Sequence, residues 1–373
     1  MISLNRPYDV VKSGELRDKS LHSREEQEME IVYSSREGLS KIYQHLYEER
    51  GVMRVAVSPL TCFIAIYPIV ANGHVPVFVD IDSQTLNMSE EALMAHEDVQ
   101  AVQTIYLGGN PMRMDRVMDW AKKHGVVVIE DCAQALGAKY GGRMCGTFGE
   151  YAVASAVKNL YSVAGGILVG ELRVKSEELR VMGWLMAYKR MKRWLEMRAN
   201  ARKGNIWNAV YGGLLRLKDT RDDSFTNSIH RVPQDVEQEI RIALGHLDEI
   251  QAKRIRNTER LMAQIDTTKY QLQQVPEEGE STRNRVIVVA LHREARDVIE
   301  ALRAKGIAAN NLTQSYTHPY QEHVREDKML VPYYAEVLPE YERIMPRVVA
   351  VPCSPALTDK EIDYIITVLN SIN

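Results

Sequence analysis

Cysteine is scarce in this sequence: Cys62, Cys132, Cys145 and Cys353 lie far apart and no two of them form a CxxC pair. That spacing argues against a zinc site or a disulfide framework and fits a reducing compartment. An excess of charge of one sign is also missing. Lys and Arg number 47 against 50 Asp and Glu, a formal net charge of -3, so nothing electrostatic points to nucleic acid as the main partner. No stretch is apolar enough to span a bilayer, and MISLNRPYDVVKSGELRDKS at the amino terminus has no apolar core of signal-peptide length. We therefore expect a cytoplasmic protein without membrane contact. Internal repeats and low-complexity tracts are absent, and no GxGxxG follows an early strand, which counts against a dinucleotide-binding oxidoreductase. What is present is a globular composition, 45% hydrophobic and 26% charged over 373 residues, long enough to bury a large core and build two domains.

From residue 30 to about 170, short β-branched runs alternate with amphipathic helical stretches. The runs at 54–57, 75–79, 101–106, 126–130 and 166–169 predict strands, and the patterns at 38–48, 89–96 and 114–124 predict helices. This alternation is the signature of βαβ units in a parallel sheet buried on both faces. Such crossovers collect binding groups at the carboxyl ends of the strands. Residues 172–218 change character, mixing Trp, Tyr and Met with many Lys and Arg. They read either as a basic amphipathic surface meeting a membrane or an anionic ligand or, by preference, as a helical insertion packed on the core or on a second subunit. DTRDDSFTNS (219–228) reads as a loop. A long helix is expected over 234–265, then a strand at 285–290 and helices at 295–305 and 359–372. Thr358 suits an N-cap there, with Glu361 as capping-box partner. The implied division is a large domain, 1–233, with a basic insertion-like segment at 172–233, and a linking helix plus smaller α+β domain, 234–373.

The densest chemistry lies in VVVIEDCAQALGAKYGGRMCGTFGEYAVASAVKNLYSVAGGILVG, residues 126–170. A buried strand ends in Glu130-Asp131, and a carboxylate at that end points into the ligand crevice. Desolvation would tend to neutralise it, and a cationic partner such as a protonated pyridine nitrogen removes that penalty. Lys158, brought into the same crevice, can condense with an aldehyde. Aspartate, lysine and a phosphate cradle are the minimum that a pyridoxal-phosphate site needs. The bland alternatives are a solvated lysine and an aspartate acting as a helix cap. Gly141-Gly142 suits a hairpin turn, Gly165-Gly166 a tight backbone approach, and His74, in NGH, a turn.

The order EDCAQALGAKYGGRMCGTFGE…S…KNL…GG resembles the DegT/StrS family of pyridoxal-phosphate enzymes, mostly nucleotide-sugar aminotransferases. Three further segments carry the likeness: VSPLTCFIAIYPIVANGHVPVFVDID (57–82), YLGGNPMRMD (106–115) and LPEYERIMPRVVAVPCSPALTDKEID (338–363). The resemblance implies an α/β protein with the aspartate-aminotransferase (type I) fold, acting as a homodimer with sites at the subunit interface. It implies Lys158 as the Schiff-base lysine and proton shuttle, and Asp131 as the partner of the pyridine nitrogen. It implies Gln134 on the ring hydroxyl, Ser155 on the phosphate, and Thr61 with Cys62 in the loop that stacks on the ring. The other phosphate contacts fall in YSSREGL (33–39), at Ser35, Arg36 and Glu37, where a helix N-terminus favours an anion. Ser34-x-x-Glu37 is equally a plain capping box. His318 and Tyr316 are candidate substrate contacts, with a surface turn as the alternative for His318.

Three departures from the family stand out. Tyr106 replaces its usual His, but the larger changes lie elsewhere. Cys62, not an aromatic residue, follows Thr61, so either the thiol or Phe63 meets the ring. The Ser155-to-Lys158 spacing is shorter than usual. No Asn-Tyr-Arg motif reaches toward a partner subunit, with Asn227, His230 or Arg231 as substitutes. The activity expected is transfer of an amino group from an amino acid, glutamate in the first instance, to a nucleotide-linked keto sugar. Two alternatives remain open: a different reaction on the same fold, such as a sugar dehydratase or a carbocycle aminotransferase, and a catalytically silent binding or regulatory protein. The family's dehydratases carry histidine in place of the lysine, which disfavours that version here.

Overall fold

A computed structural model describes residues 29–172, 232–311 and 337–372 of the protein. Most of the basic segment, the 219–228 loop, Asn227, His230, Arg231, Tyr316 and His318 lie outside the described residues. The first half runs β1 (Met29–Val32), α1 (Ser35–Arg50), β2 (Arg54–Val57), α2 (Phe63–Ala71), β3 (Val75–Phe78), α3 (Glu90–Met94), β4 (Ala101–Ile105), α4 (Met114–His124) and β5 (Val127–Cys132). A small hairpin, β6 (Lys139–Tyr140) and β7 (Arg143–Met144), precedes β8 (Tyr151–Ser155), the one-turn helix α5 (Ala156–Asn159) and β9 (Gly166–Val169). Beyond it come α6 (Gln234–Gly245), α7 (Leu247–Met262), β10 (Tyr270–Leu272), β11 (Gly279–Glu280), β12 (Val286–Ala290) and α8 (Ala295–Ala304). The described chain closes with α9 (Pro339–Ile344), β13 (Val348–Val351) and α10 (Asp359–Ser371).

Seven strands form the central sheet in the order β1-β9-β8-β5-β4-β2-β3. The run β3-β2-β4-β5-β8 is parallel, and β9 and β1 are added antiparallel at one edge. Strands buried on both faces need apolar residues at every position, and β5 meets that demand with Val127, Val128 and Ile129 before its two acids. Its pleat divides the core. Val127 and Ile129 pack with Leu39, Ile42 and Tyr43 of α1 and Ile66 of α2, whereas Val128 and Cys132 pack with Val117 and Trp120 of α4. Gly38 lets α1 lie directly on the sheet, because a Cβ there would come within 2.9 Å of Val153 Cγ1.

A second, antiparallel sheet, β10-β12-β13, carries the smaller core, covered by residues of α7, α8 and α10. Of its strands only β12 is among those expected. β10, three residues long, has no period of its own and is specified by pairing with β12, whereas β13 is an apolar run, VVAV, as long as β2. The helix expected over 234–265 is two helices, broken at His246, whose φ of -109° and ψ of 14° leave the helical region. Gly141-Gly142 forms the hairpin turn between β6 and β7, both with positive φ. Thr358 and Glu361 form the reciprocal capping box at the start of α10. His74 is not a solvent-facing turn residue. It is buried: its Nδ1 accepts from Met53 N at 3.1 Å and its Nε2 donates to the Tyr43 carbonyl at 2.8 Å, so it ties α1 to the start of β2. No helix among the described residues is long and apolar enough to cross a membrane.

Candidate active site

The two acids that close β5 do opposite things, because successive side chains of a strand face opposite ways. Glu130 is the one that does not face the Lys158 side. It turns toward the α4 face, where its carboxylate accepts from Tyr106 OH at 2.5 Å and from the amides of Gly146, Phe148 and Gly149 at 2.7, 2.6 and 2.8 Å. Burial raises its pKa against the pull of those four donors. Glu130 thus organises the 146–149 loop, and Tyr106, where the family has His, serves that loop.

Asp131 faces the α1 side at the carboxyl end of the sheet, in register with Ile105 of β4 and Val153 of β8. It is buried, and desolvation raises its pKa. The nearby Lys158 ammonium, the Ala133 amide and the Gln103 side chain oppose that rise, in decreasing order. Oδ1 accepts from Ala133 N at 3.0 Å and Oδ2 from Gln103 Nε2 at 3.3 Å. A buried carboxylate with a lysine beside it is the pairing on which the chemistry expected of this site depends.

The turn that carries Lys158 is tied down from several sides. Ser155 is its N-cap, Oγ accepting from Lys158 N at 3.3 Å. That bond is available because Ser155 and Lys158 are three residues apart, the N-cap to N3 spacing. The short loop is therefore a regular helical turn, and the Ser155 hydroxyl, expected on a phosphate, has a structural task. From the other side, Asn284 Nδ2 donates to the Lys158 carbonyl at 3.1 Å. Arg254 of α7, fully buried, donates to the Asn159 carbonyl at 3.0 Å and to Tyr161 OH at 3.2 Å. Asn159 Nδ2 donates in turn to the Ala133 carbonyl at 3.0 Å, linking the lysine turn to the loop after Asp131.

The start of α1 lies against the same region. Ser34 caps it, Oγ accepting from Glu37 N at 3.2 Å, and Glu37 is buried in the first turn. Gly166, paired with both Val32 and Ser155, faces this turn so closely that a Cβ would lie 2.5 Å from Ser35 N. Ser35 and Arg36 are half-buried there. Backbone amides at a helix start beside a glycine are suited to a phosphate group. Thr61 is buried and Cys62 half-buried at the N-cap of α2. Gln134 is buried in the loop after β5, its Oε1 accepting from Gly108 N at 3.1 Å.

Three residues of this region escape a reading by motif: Gln103, Tyr43 and Asn284. Gln103 has a detectable signal, a long polar side chain in the otherwise apolar strand AVQTI, since buried polar groups require partners. Tyr43 and Asn284 have none, because their partners are 60 and 126 residues away in the chain.

A mostly parallel sheet bearing a lysine and a buried aspartate beside a helix start defines an α/β protein of the pyridoxal-phosphate aminotransferase type. The sequence pattern of the DegT/DnrJ/EryC1/StrS aminotransferase family matches residues 41–220 and 240–370, and the chain belongs to that family. A pleiotropic regulatory protein of Geobacillus stearothermophilus is 26% identical over 84% of this chain and 76% of its own length. The GDP-perosamine synthase of Escherichia coli O157:H7 is 34% identical over 31% of this chain, and the match spans only 33% of that protein. Among solved structures, a sugar aminotransferase from Micromonospora echinospora shares the fold with a TM-score of 0.67 at 22% identity, over 92% of this chain and 87% of its own. The E coli GDP-4-keto-6-deoxy-D-mannose-3-dehydratase, with hydrated PLP bound, shares it with a TM-score of 0.69 at 20% identity, over 91% and 87%. The cofactor expected from the sequence agrees with that neighbour.

Proposed function

We propose that the protein is a pyridoxal-phosphate-dependent aminotransferase that moves an amino group from an amino acid, glutamate in the first instance, to a keto sugar carried on a nucleotide. The observation that carries this reading is the turn of Lys158 set against the loop that follows the buried Asp131, Asn159 Nδ2 donating to the Ala133 carbonyl at 3.0 Å, with the lysine's charge opposing the rise of the Asp131 pKa. The donor set fits the cofactor: a primary amine, a buried carboxylate, and helix-start amides with Arg36 beside the close-packed Gly166. When bound, pyridoxal phosphate supplies an aldehyde open to amines and a protonated ring that draws electrons from the carbon next to the transferred nitrogen. Asp131 keeps a proton at the ring nitrogen, because a buried carboxylate favours a cationic partner over water-free isolation. Lys158 is the amine that would hold the cofactor's aldehyde end. With a donor bound, Nζ would be the base that takes a proton from the donor's α-carbon and the acid that returns it to the neighbouring carbon. The first amides of α1, with Arg36, hold the phosphate by charge-assisted hydrogen bonds. A homodimer in the cytoplasm is part of the same proposal.

The test is an absorbance spectrum of wild type and Lys158→Ala, each with pyridoxal phosphate and then with glutamate. The expected result is a visible band in the wild type only, collapsing when glutamate is added. A colourless wild type, or a variant that behaves identically, overturns the assignment of Lys158. It would favour the second reading, a regulatory protein on this fold. The support for that reading is the name of the Geobacillus relative that aligns with most of this chain. The dehydratase alternative is disfavoured by the presence of Lys158 itself.

A further inference from the structure

Behind Asp131 runs a buried chain of donors that the transamination chemistry does not require. Tyr43 OH donates to Gln103 Oε1 at 2.6 Å, and Gln103 Nε2 donates to Asp131 Oδ2 at 3.3 Å. Tyr43 and Gln103 are 0% exposed, so water does not complete either group. The direction of the chain follows from the chemistry of its members. A phenol has one proton to give, and burial together with the Asp131 charge pushes the Tyr43 pKa well up, so the phenol stays protonated. The Ala65 carbonyl, which can only accept, lies 3.4 Å from Gln103 Nε2 and sets the amide with its nitrogen toward Asp131 and its oxygen toward the Tyr43 O–H. The amide nitrogen is only a donor. The oxygen it meets on Asp131 must therefore be an acceptor, which an ionised carboxylate supplies and a protonated one facing it does not.

The far end of the chain is anchored too. His74 Nε2 holds the Tyr43 carbonyl at 2.8 Å, and its ring lies 5.5 Å from the Tyr43 ring. Tyr43 stands on α1, the same helix whose first turn lies by Gly166, so one rigid element fixes both the helix start and the partner of the aspartate.

We propose that Tyr43 and Gln103 are positioning residues: a one-way donor chain that keeps Asp131 ionised and fixes its carboxylate plane toward the cationic ring it is to face. The inference rests on the reading of the site above only for what Asp131 faces, not for the state of Asp131 itself. The charged or titratable groups around Asp131 are Lys158 from α5, Tyr43 from α1 and the neighbouring Cys132 thiol, which burial keeps neutral.

The experiment is a carboxyl 13C titration of aspartate-labelled protein without cofactor, with Asp131→Asn to assign the resonance. It compares wild type, Gln103→Met and Tyr43→Phe. Losing a donor to a buried carboxylate should raise the Asp131 midpoint by about 1 to 2 pH units in Gln103→Met. Tyr43→Phe should raise it by less, since the amide, then set by the Ala65 carbonyl without the phenol, turns its oxygen toward Asp131 in only part of the molecules. A role confined to packing leaves both midpoints at the wild-type value, and that result overturns the proposal. If Gln103→Met does not fold, Tyr43→Phe decides alone, since it keeps the ring and removes one atom. Binding of pyridoxal phosphate to wild type is measured separately. Shifted midpoints in a protein that takes no cofactor would sustain the donor chain while removing the assignment of the site.

Discussion

Gly166→Ala tests whether the close approach of β9 to the start of α1 forms a phosphate cradle. The new Cβ would lie 2.5 Å from Ser35 N, 2.7 Å from the Ser34 carbonyl carbon and 3.0 Å from Ser35 Cα. Ordinary contacts begin near about 3.5 Å, so the first turn of α1 must retreat by roughly 1 Å. All three atoms are backbone, which no rotamer change can move aside. Overpacking of this kind costs about 1–3 kcal/mol, which lowers a urea midpoint by about 0.3 to 1 M at a slope of about 3 kcal/mol per molar. Displaced amides should also weaken pyridoxal phosphate binding by about tenfold, as expected when charge-assisted bonds to a phosphate lengthen. Gly125→Ala is the control. Gly125 has a φ of 67° with nothing within 4 Å of the added Cβ, so it pays only the left-handed backbone cost of about 1–2 kcal/mol. Its cofactor affinity should match wild type. A Gly166→Ala protein with wild-type stability refutes the packing argument. One that is destabilised but binds the cofactor normally refutes the cradle.

Tyr106→Phe should destabilise by about 1–3 kcal/mol, because it strips one donor from the buried Glu130 and leaves three amides. Cofactor binding should be unchanged, since Glu130 faces away from Asp131; calorimetric unfolding and a cofactor titration together check both. His74 should make stability depend on pH. Burial lowers its pKa below 6.5, against the pull of the Tyr43 carbonyl, so the unfolded chain binds the proton more readily. Stability from this group is present above pH 6.5 and is lost as pH falls through the lowered folded value. In urea melts between about pH 7 and about pH 5, His74→Asn should therefore show a flatter slope than wild type. An identical slope would assign the effect to other groups.

The local sequence determines much of this protein. Apolar runs such as 126–130 specify strands because a parallel sheet with both faces covered tolerates little else. Gly141-Gly142 specifies a hairpin through two positive φ angles, and Thr358 with Glu361 specifies a helix start through two reciprocal bonds. The order of acid, lysine and glycines in 126–170 points to the family, and the fold bonds the turn that carries Lys158 to the loop after Asp131 through Asn159 and the Ala133 carbonyl. The resemblance singles out Asp131, but the task of its neighbour Glu130 is decided by the fold: the pleat of β5 sends the two acids to opposite faces, and Glu130 meets Tyr106 and the 146–149 amides. The break at His246 and the strand β10 likewise depend on what they pack against rather than on their own periodicity. The same holds for the bonds that make the site a unit. Tyr43 finds Gln103, and Asn284 finds the Lys158 carbonyl, across distances in the chain at which local propensity carries no information. A buried donor takes whichever acceptor the folded layers place opposite it, so the partner is decided by the packing of α1 on the sheet and of the segment before β12 on the lysine turn.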